Sequence, residues 1–193
     1  MTALLDSLAA GFDGDGARKA TLDAALRDGL PGPRSEAWKY TPLRALERRA
    51  FAPVEADVAA FDPALVAGIP APRLVFVNGV HDTAHSDVDA LPAGVSLVVG
   101  EVDGTARDAA TNARPGDEVF ANLNAALART GVTLRVEAGA NVETPLHLVF
   151  IGAPSNANRA WHLRHAVELG EGATAVLAEH HIADCAHRHL DTA

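Results

Sequence analysis

The sequence predicts an α+β protein in which a helical first part gives way to a solenoid of short strands. Apolar residues recur at helical spacing as far as Phe51, and from Arg73 onward short β-branched runs alternate with glycines. One strand segment also echoes another. Val136-Glu137-Ala138-Gly139-Ala140 matches Val167-Glu168-Leu169-Gly170-Glu171 at a spacing of 31 residues (136 to 167). Self-similarity at a fixed period between short strands is the mark of a solenoid, here a parallel β-helix.

The elements follow in order. Leu4, Leu5, Leu8 and Phe12 form one apolar stripe, broken by Gly14 and Gly16. A second helix runs from Ala17 to Leu30, with Leu22, Ala25 and Leu26 inward, and is stopped by Gly29, Pro31, Gly32 and Pro33. Thr41 reads as an N-cap with Pro42 at the first helical position, opening a third helix over Leu43 to Phe51. Pro53 to Pro72 reads as a connector with one helical turn, anchored by Phe61 and Leu65. The runs Leu74–Val77 and Val95–Val99 are apolar on consecutive positions, so both faces of each strand should be buried. Asn78-Gly79 is a strong turn pair.

Glu118 to Arg129 returns to helical period, with Val119, Phe120, Leu123, Ala126 and Leu127 on one stripe and Gly131 as its C′ glycine. Short strands over Val132–Val136, Leu146–Ile151, Trp161–Leu169 and Ala173–Ile182 complete the pattern, with the loop 153–160 bulging from one coil. The division is a helical region and connector over 1–72, then the solenoid core over 73–193, with a helix near 118–130.

Composition narrows the function. At 193 residues, 48% hydrophobic and 21% charged, the chain is ordinary for a soluble protein. No apolar run reaches the ~20 residues of a membrane-spanning helix, and Met1 to Phe12 has no basic n-region. We therefore expect a cytoplasmic protein. A net charge of −9 repels phosphate backbones. The longest basic cluster, Arg44, Arg48 and Arg49 with Glu47 among them, reads as a solvated face. A single cysteine, Cys185, makes no internal disulfide and cannot by itself hold an iron–sulfur cluster, which needs about four thiolates. Phosphate-binding glycine loops and the G-x-S-x-G elbow are absent.

Aromatic residues make up only 5% of the chain, yet one of two tryptophans and the only tyrosine fall within Arg34-Ser35-Glu36-Ala37-Trp38-Lys39-Tyr40-Thr41. This segment resembles the R-x-E-x-W-K-Y-T signature of the SUF-system iron–sulfur cluster assembly proteins of the SufB/SufD family, on the SufD branch. Phe120-Ala121-Asn122-Leu123-Asn124-Ala125-Ala126 looks like the family's F-x-x-L-N-x-A segment. Pro145-Leu146-His147-Leu148 resembles its P-[IL]-H-[IL] strand start. Arg164-His165, Leu169, Gly172-Ala173 and Glu179-His180 resemble the coils that follow. The matches stand in family order and cover most of the chain, most weakly over Pro53 to Pro72.

The resemblance implies a helical region, a right-handed parallel β-helix and a C-terminal helical region. It implies a non-enzymatic scaffold that works with a SufB-type subunit and the SufC-type ATPase, with homodimerisation as a further expectation. The chain ends at Ala193, a few coils into that solenoid, and we read it as the N-terminal portion of a longer subunit. No cofactor is expected on this chain alone; the iron–sulfur cluster would be handled by the assembled complex.

Arg34, Glu36, Trp38, Lys39, Tyr40 and Thr41 are read as structural, pinning the helical region to its neighbour with the tyrosine hydroxyl and indole N–H at the rim. His147 and His165 are read as satisfied strand residues. Two readings from other classes stay open. A β-helix carbohydrate-active enzyme would stack carboxylates, with Glu137 and Glu168 as the candidate pair. A small metal-binding module would use Cys185, His187 and His189, which share a face if extended but lack a fourth ligand. His180 and His181 should point to opposite faces.

Overall fold

The structure, a computed structural model, describes residues 2–14, 16–54, 57–101, 118–183 and 189–192. The chain opens with two helices, α1 (Ala3–Ala10) and α2 (Gly16–Asp28). A 3₁₀ turn at Glu36–Trp38 and the single-turn helix α3 (Arg44–Glu47) follow. Next come the two-residue strand β1 (Ala52–Pro53), the single turn α4 (Ala64–Ala67), and strands β2 (Arg73–Val77), β3 (Val80–His81) and β4 (Val95–Glu101). Helix α5 (Val119–Leu127) precedes β5 (Thr130–Val136), β6 (Asn141–Gly152), β7 (Arg159–His162), β8 (Ala166–Leu169), β9 (Thr174–Ala183) and β10 (His189–Thr192).

The α+β content stands, but the expected β-helix does not. The described strands form three small open sheets, ordered β1-β7-β10, β3-β2-β6-β9 and β4-β5-β8. In a parallel β-helix all neighbours run parallel, whereas β2–β3 and β4–β5 are antiparallel. The reversal at β2–β3 is local chemistry. Asn78 and Gly79 adopt positive φ of 48° and 81°, which makes a two-residue turn whose twist suits a hairpin. Asn78 is buried, and its Oδ1 accepts from the Ala153 amide at 2.9 Å, tying the turn to the end of β6.

The remaining pairs are parallel, and their register differs from the sequence echo. Leu134 stands opposite Val167 and Val136 opposite Leu169, so the pairing interval is the 33 residues that separate Arg135 from Glu168, not 31. A two-residue slip keeps every side chain on its original face, so alternation alone cannot choose between the two. Backbone contacts decide. Gly170 donates to the Val136 carbonyl at 2.8 Å and Gly139 to the Glu171 carbonyl at 2.9 Å.

Four further sequence expectations need correction. The third helix lasts one turn, with Leu43 rather than Thr41 at its cap position, because the Thr41 amide closes the preceding turn on the Trp38 carbonyl at 3.0 Å. The chain then leaves helical geometry so that Phe51 can enter the core, its amide donating to Ser7 Oγ at 3.1 Å. Strand β4 is one-sided, with Val98 60% exposed, so of these two runs β2 alone is buried on both faces. Gly131 lies within β5 and Ala128 caps α5, so Gly131 serves strand packing and not a helix end. Trp161 to Leu169 is split into β7 and β8 around Leu163.

The helical layer has its own core: Leu4, Leu5 and Leu8 of α1, Leu22 and Ala25 of α2, and Val119, Leu123 and Ala126 of α5, with Phe51 and Ala160. Thr2 Oγ1 accepts from the Leu5 amide at 3.4 Å and starts α1. Arg18 of α2 donates to the Ala126 and Ala128 carbonyls at 2.9 and 2.5 Å, satisfying the C-terminus of α5. Between the sheets, Leu74, Phe76, Leu148, Phe150, Trp161 and Leu163 fill the second cluster. No helix among the described residues is long and apolar enough to cross a membrane.

Candidate functional site

Strand pairing gathers the histidines that lie scattered in the sequence. Across the four-stranded sheet, His81 stands opposite Phe76, Phe76 opposite Phe150, and Phe150 opposite His181. Their rings form a ladder with centroid distances of 5.4, 5.8 and 4.9 Å. His165 packs against both phenylalanines at 5.9 and 5.5 Å. Its Nδ1 accepts from the Val132 amide at 3.2 Å, so the neutral ring carries its hydrogen on Nε2. Burial holds the His165 pKa below its ordinary value, against a smaller upward pull from Glu179.

This inner face turns polar at β9 and β10. Glu179 stands opposite Leu148, and Asp191 opposite Trp161. His181 lies between the two carboxylates, Nε2 at 3.5 Å from Glu179 and Nδ1 at 3.9 Å from Asp191. Burial raises the Asp191 pKa, opposed by a smaller pull from His181. Trp161 Nε1, His165 Nε2 and both Asp191 oxygens are buried without a hydrogen-bond partner among the described residues.

The other face of the same sheet carries His147 and His180. His147 Nδ1 lies 2.9 Å from His180 Nε2, with ring centroids 5.1 Å apart. One ring must donate and the other accept. Burial, and secondarily the charge of His180, lower the His147 pKa. His180 and His181 thus serve opposite faces, as the period of a strand requires. On β7, His162 is partly buried, and desolvation lowers its pKa to about 4.

A tight polar turn beside β3 escaped the sequence reading. Asp82, 5% exposed, accepts from the Ala84 amide at 2.9 Å, and its other oxygen lies 2.7 Å from His85 Nδ1. Ser86 Oγ accepts from the Val75 amide at 2.9 Å, meets His81 Nε2 at 3.2 Å, and donates to the Asp82 carbonyl at 2.7 Å. Serine, histidine and aspartate are all present, but the hydroxyl proton is committed to a backbone carbonyl. The cluster locks a turn. The D-x-x-H-S spacing, with the Asx-turn that Asp82 makes, was the legible signal.

The signature residues sit away from these histidines. Trp38, half-buried, contacts Phe120 of α5 with ring centroids 5.3 Å apart. Arg34, Glu36, Lys39 and Thr41 are exposed, and Tyr40 is 87% exposed with Lys39 Nζ 5.3 Å from its ring centroid. Among the metal-module candidates, Cys185 and His187 lie outside the described residues, and His189 packs on Trp161 at 4.9 Å. Among the described residues no group of three or more His, Cys, Asp or Glu could hold a metal ion. Glu137 and Glu168 are not stacked: Glu168 stands opposite Arg135 and pairs with its guanidinium at 2.6 Å.

The chain is 30% identical over 179 residues to the iron–sulfur cluster assembly protein SufD of Escherichia coli, an alignment covering 89% of this chain and 41% of that protein. The chain belongs to the SufB/SufD family. It is SufD-like over the aligned part. An iron–sulfur cluster assembly SufBD family protein of Synechocystis sp. is also 30% identical, over 140 residues, covering 68% of this chain and 30% of that protein. The chain thus spans less than half the length of these curated SufB/SufD-family relatives. No protein-family model matches it. The segments that carried the resemblance meet in space: the signature tryptophan touches Phe120, and His147 reaches His180.

Proposed function

We propose that this chain is part of a SufD-type scaffold subunit that works in the cytoplasm with SufB-type and SufC-type partners in iron–sulfur cluster assembly. The observation that carries the reading is the identity of 30% over 179 residues to SufD. The role is architectural and not enzymatic. Trp38 fastens the signature segment to α5, and parallel pairing of β6 with β9 and β5 with β8 builds a stiff frame on which an assembly interface can be held. The iron–sulfur cluster is cargo of the assembled complex. The commitment of the Ser86 hydroxyl to the Asp82 carbonyl supports a non-hydrolytic reading.

The test uses the full-length protein. A strain lacking its SufD-type gene should regain iron–sulfur enzyme activity under iron limitation when this gene is supplied, and the tagged protein should co-purify with SufB- and SufC-type subunits in fixed stoichiometry. Normal cluster maturation without the gene, together with purification of the protein free of both subunits, would overturn the reading.

A further inference from the structure

The segment from Arg34 to Arg49 is built as an exposed basic and aromatic surface, and we propose that it docks an acidic segment of a partner protein. Two inward contacts hold it. Trp38 lies on Phe120, and Leu46 of α3 packs on the helical core. Between these anchors the chain turns outward. Lys39 and Tyr40 form the tip, with the ammonium 5.3 Å from the ring centroid and the ring 87% exposed. The only tyrosine of an aromatic-poor chain therefore faces solvent on a fixed base. Exposed tyrosine, tryptophan and basic side chains on a rigid support are the residue types that dominate protein interfaces, and pre-ordering lowers the entropy lost on binding.

Charge selects the partner. Five cations, Arg34, Lys39, Arg44, Arg48 and Arg49, stand against Glu36 and Glu47 in this segment, within a chain of net charge −9. Arg34, Lys39, Arg44 and Arg48 are exposed, and no ion pair engages them among the described residues. A local basic island on an acidic protein attracts a short carboxylate-bearing segment that can reach it. A long phosphate backbone would also meet the surrounding negative charge, so an acidic protein segment is the better match. The surface belongs to the chain whether or not the cluster-assembly reading holds.

The experiment measures fluorescence anisotropy of a labelled Asp/Glu-rich peptide containing apolar residues, titrated with the full-length protein at low and at physiological salt. Binding should weaken with salt. Lys39→Glu and Arg44→Glu should each weaken it about tenfold at low salt, and Tyr40→Ser should weaken it by a similar factor. Reversal at the remote, exposed Arg135 (Arg135→Glu) should leave it unchanged, and circular dichroism melts should show all four variants folded. Equal loss with Arg135→Glu, or no loss with Tyr40→Ser and Lys39→Glu in folded protein, would overturn the proposal. Tyr40-dependent binding of a short DNA duplex at least as tight as the peptide would overturn it in favour of nucleic acid. Concentration-dependent dimerisation abolished by the same variants, with no peptide binding, would overturn it in favour of self-association.

Discussion

Trp38 and Phe120 meet ring against ring, centroids 5.3 Å apart and planes tilted by 44°, although four strands of the described residues lie between them in sequence. This contact joins the signature turn to α5, whose C-terminal carbonyls are in turn capped by Arg18 of α2. It explains why one aromatic of the signature is half-buried while its neighbour Tyr40 points away.

Replacing Trp38 by Ala should therefore lower the unfolding free energy by about 2 kcal/mol, less than a fully buried tryptophan would cost, since part of the ring stays in solvent. Tyr40→Ala should change it by no more than about 0.5 kcal/mol. Urea unfolding followed by far-UV circular dichroism separates the two. Equal effects would mean that the exposed tyrosine packs somewhere in solution.

Gly100 and Gly131 are register partners across β4 and β5, but their surroundings differ. A Cβ on Gly131 would collide with the Arg164 carbonyl, whereas one on Gly100 meets nothing within 4 Å. Gly131→Ala should cost more than about 3 kcal/mol, because rigid backbone and not a side-chain tip must move. Gly100→Ala should fall within about 0.5 kcal/mol of the parent protein. Thermal melts of both variants test this, and a Gly131→Ala as stable as the parent would contradict the close approach of the Arg164 backbone to β5.

The histidines give stability a defined acid dependence. His162 has its folded pKa lowered to about 4 from an ordinary 6.5, so between those values the unfolded chain binds the proton and the folded chain does not. Stability should fall as pH drops through that window, by at most about 3 kcal/mol for this group. His81, His147 and His165 shift in the same direction. Asp191, whose pKa is raised, acts oppositely: its carboxylate costs stability at neutral pH, and that cost is relieved as acid protonates it. Denaturant midpoints measured from pH 7.5 to pH 4 should show a falling acid limb. His162→Phe should flatten it; an unchanged limb would assign the effect to the other three rings.

His147 and His180 share one hydrogen bond, so a charge on either disfavours a charge on the other. In an NMR titration, His147 should protonate below the ordinary histidine range. His180→Ala should move that midpoint upward, since it removes the like-charge neighbour and opens the ring to water. A midpoint that does not move would mean that neither the charge of His180 nor its cover over the ring depresses it.

The histidine ladder shows where sequence reading stops. Alternation placed His180 and His181 on opposite faces, because a strand has a period of two wherever it sits. The Asn78-Gly79 turn was equally local, since positive φ at two adjacent residues depends on those residues alone. The α1 stripe and the inward side of α5 followed from helical period, and their buried residues agree.

What the sequence by itself determined was therefore local: most of the helices and longer strands, the apolar side of α1 and α5, the hairpin turn, and the signature that placed the chain in its family. Tertiary structure decided register and company. The echo of Val136 with Val167 suggested stacked carboxylates, yet backbone bonding from Gly170 to Val136 slid the strands by two residues and set Glu168 against Arg135. Antiparallel pairs replaced a uniform solenoid, and the meetings of Trp38 with Phe120 and His147 with His180 became visible only in space. Side-chain periodicity fixes faces, which a two-residue slip preserves, whereas neighbours depend on long-range hydrogen bonds and packing that no local window of sequence contains.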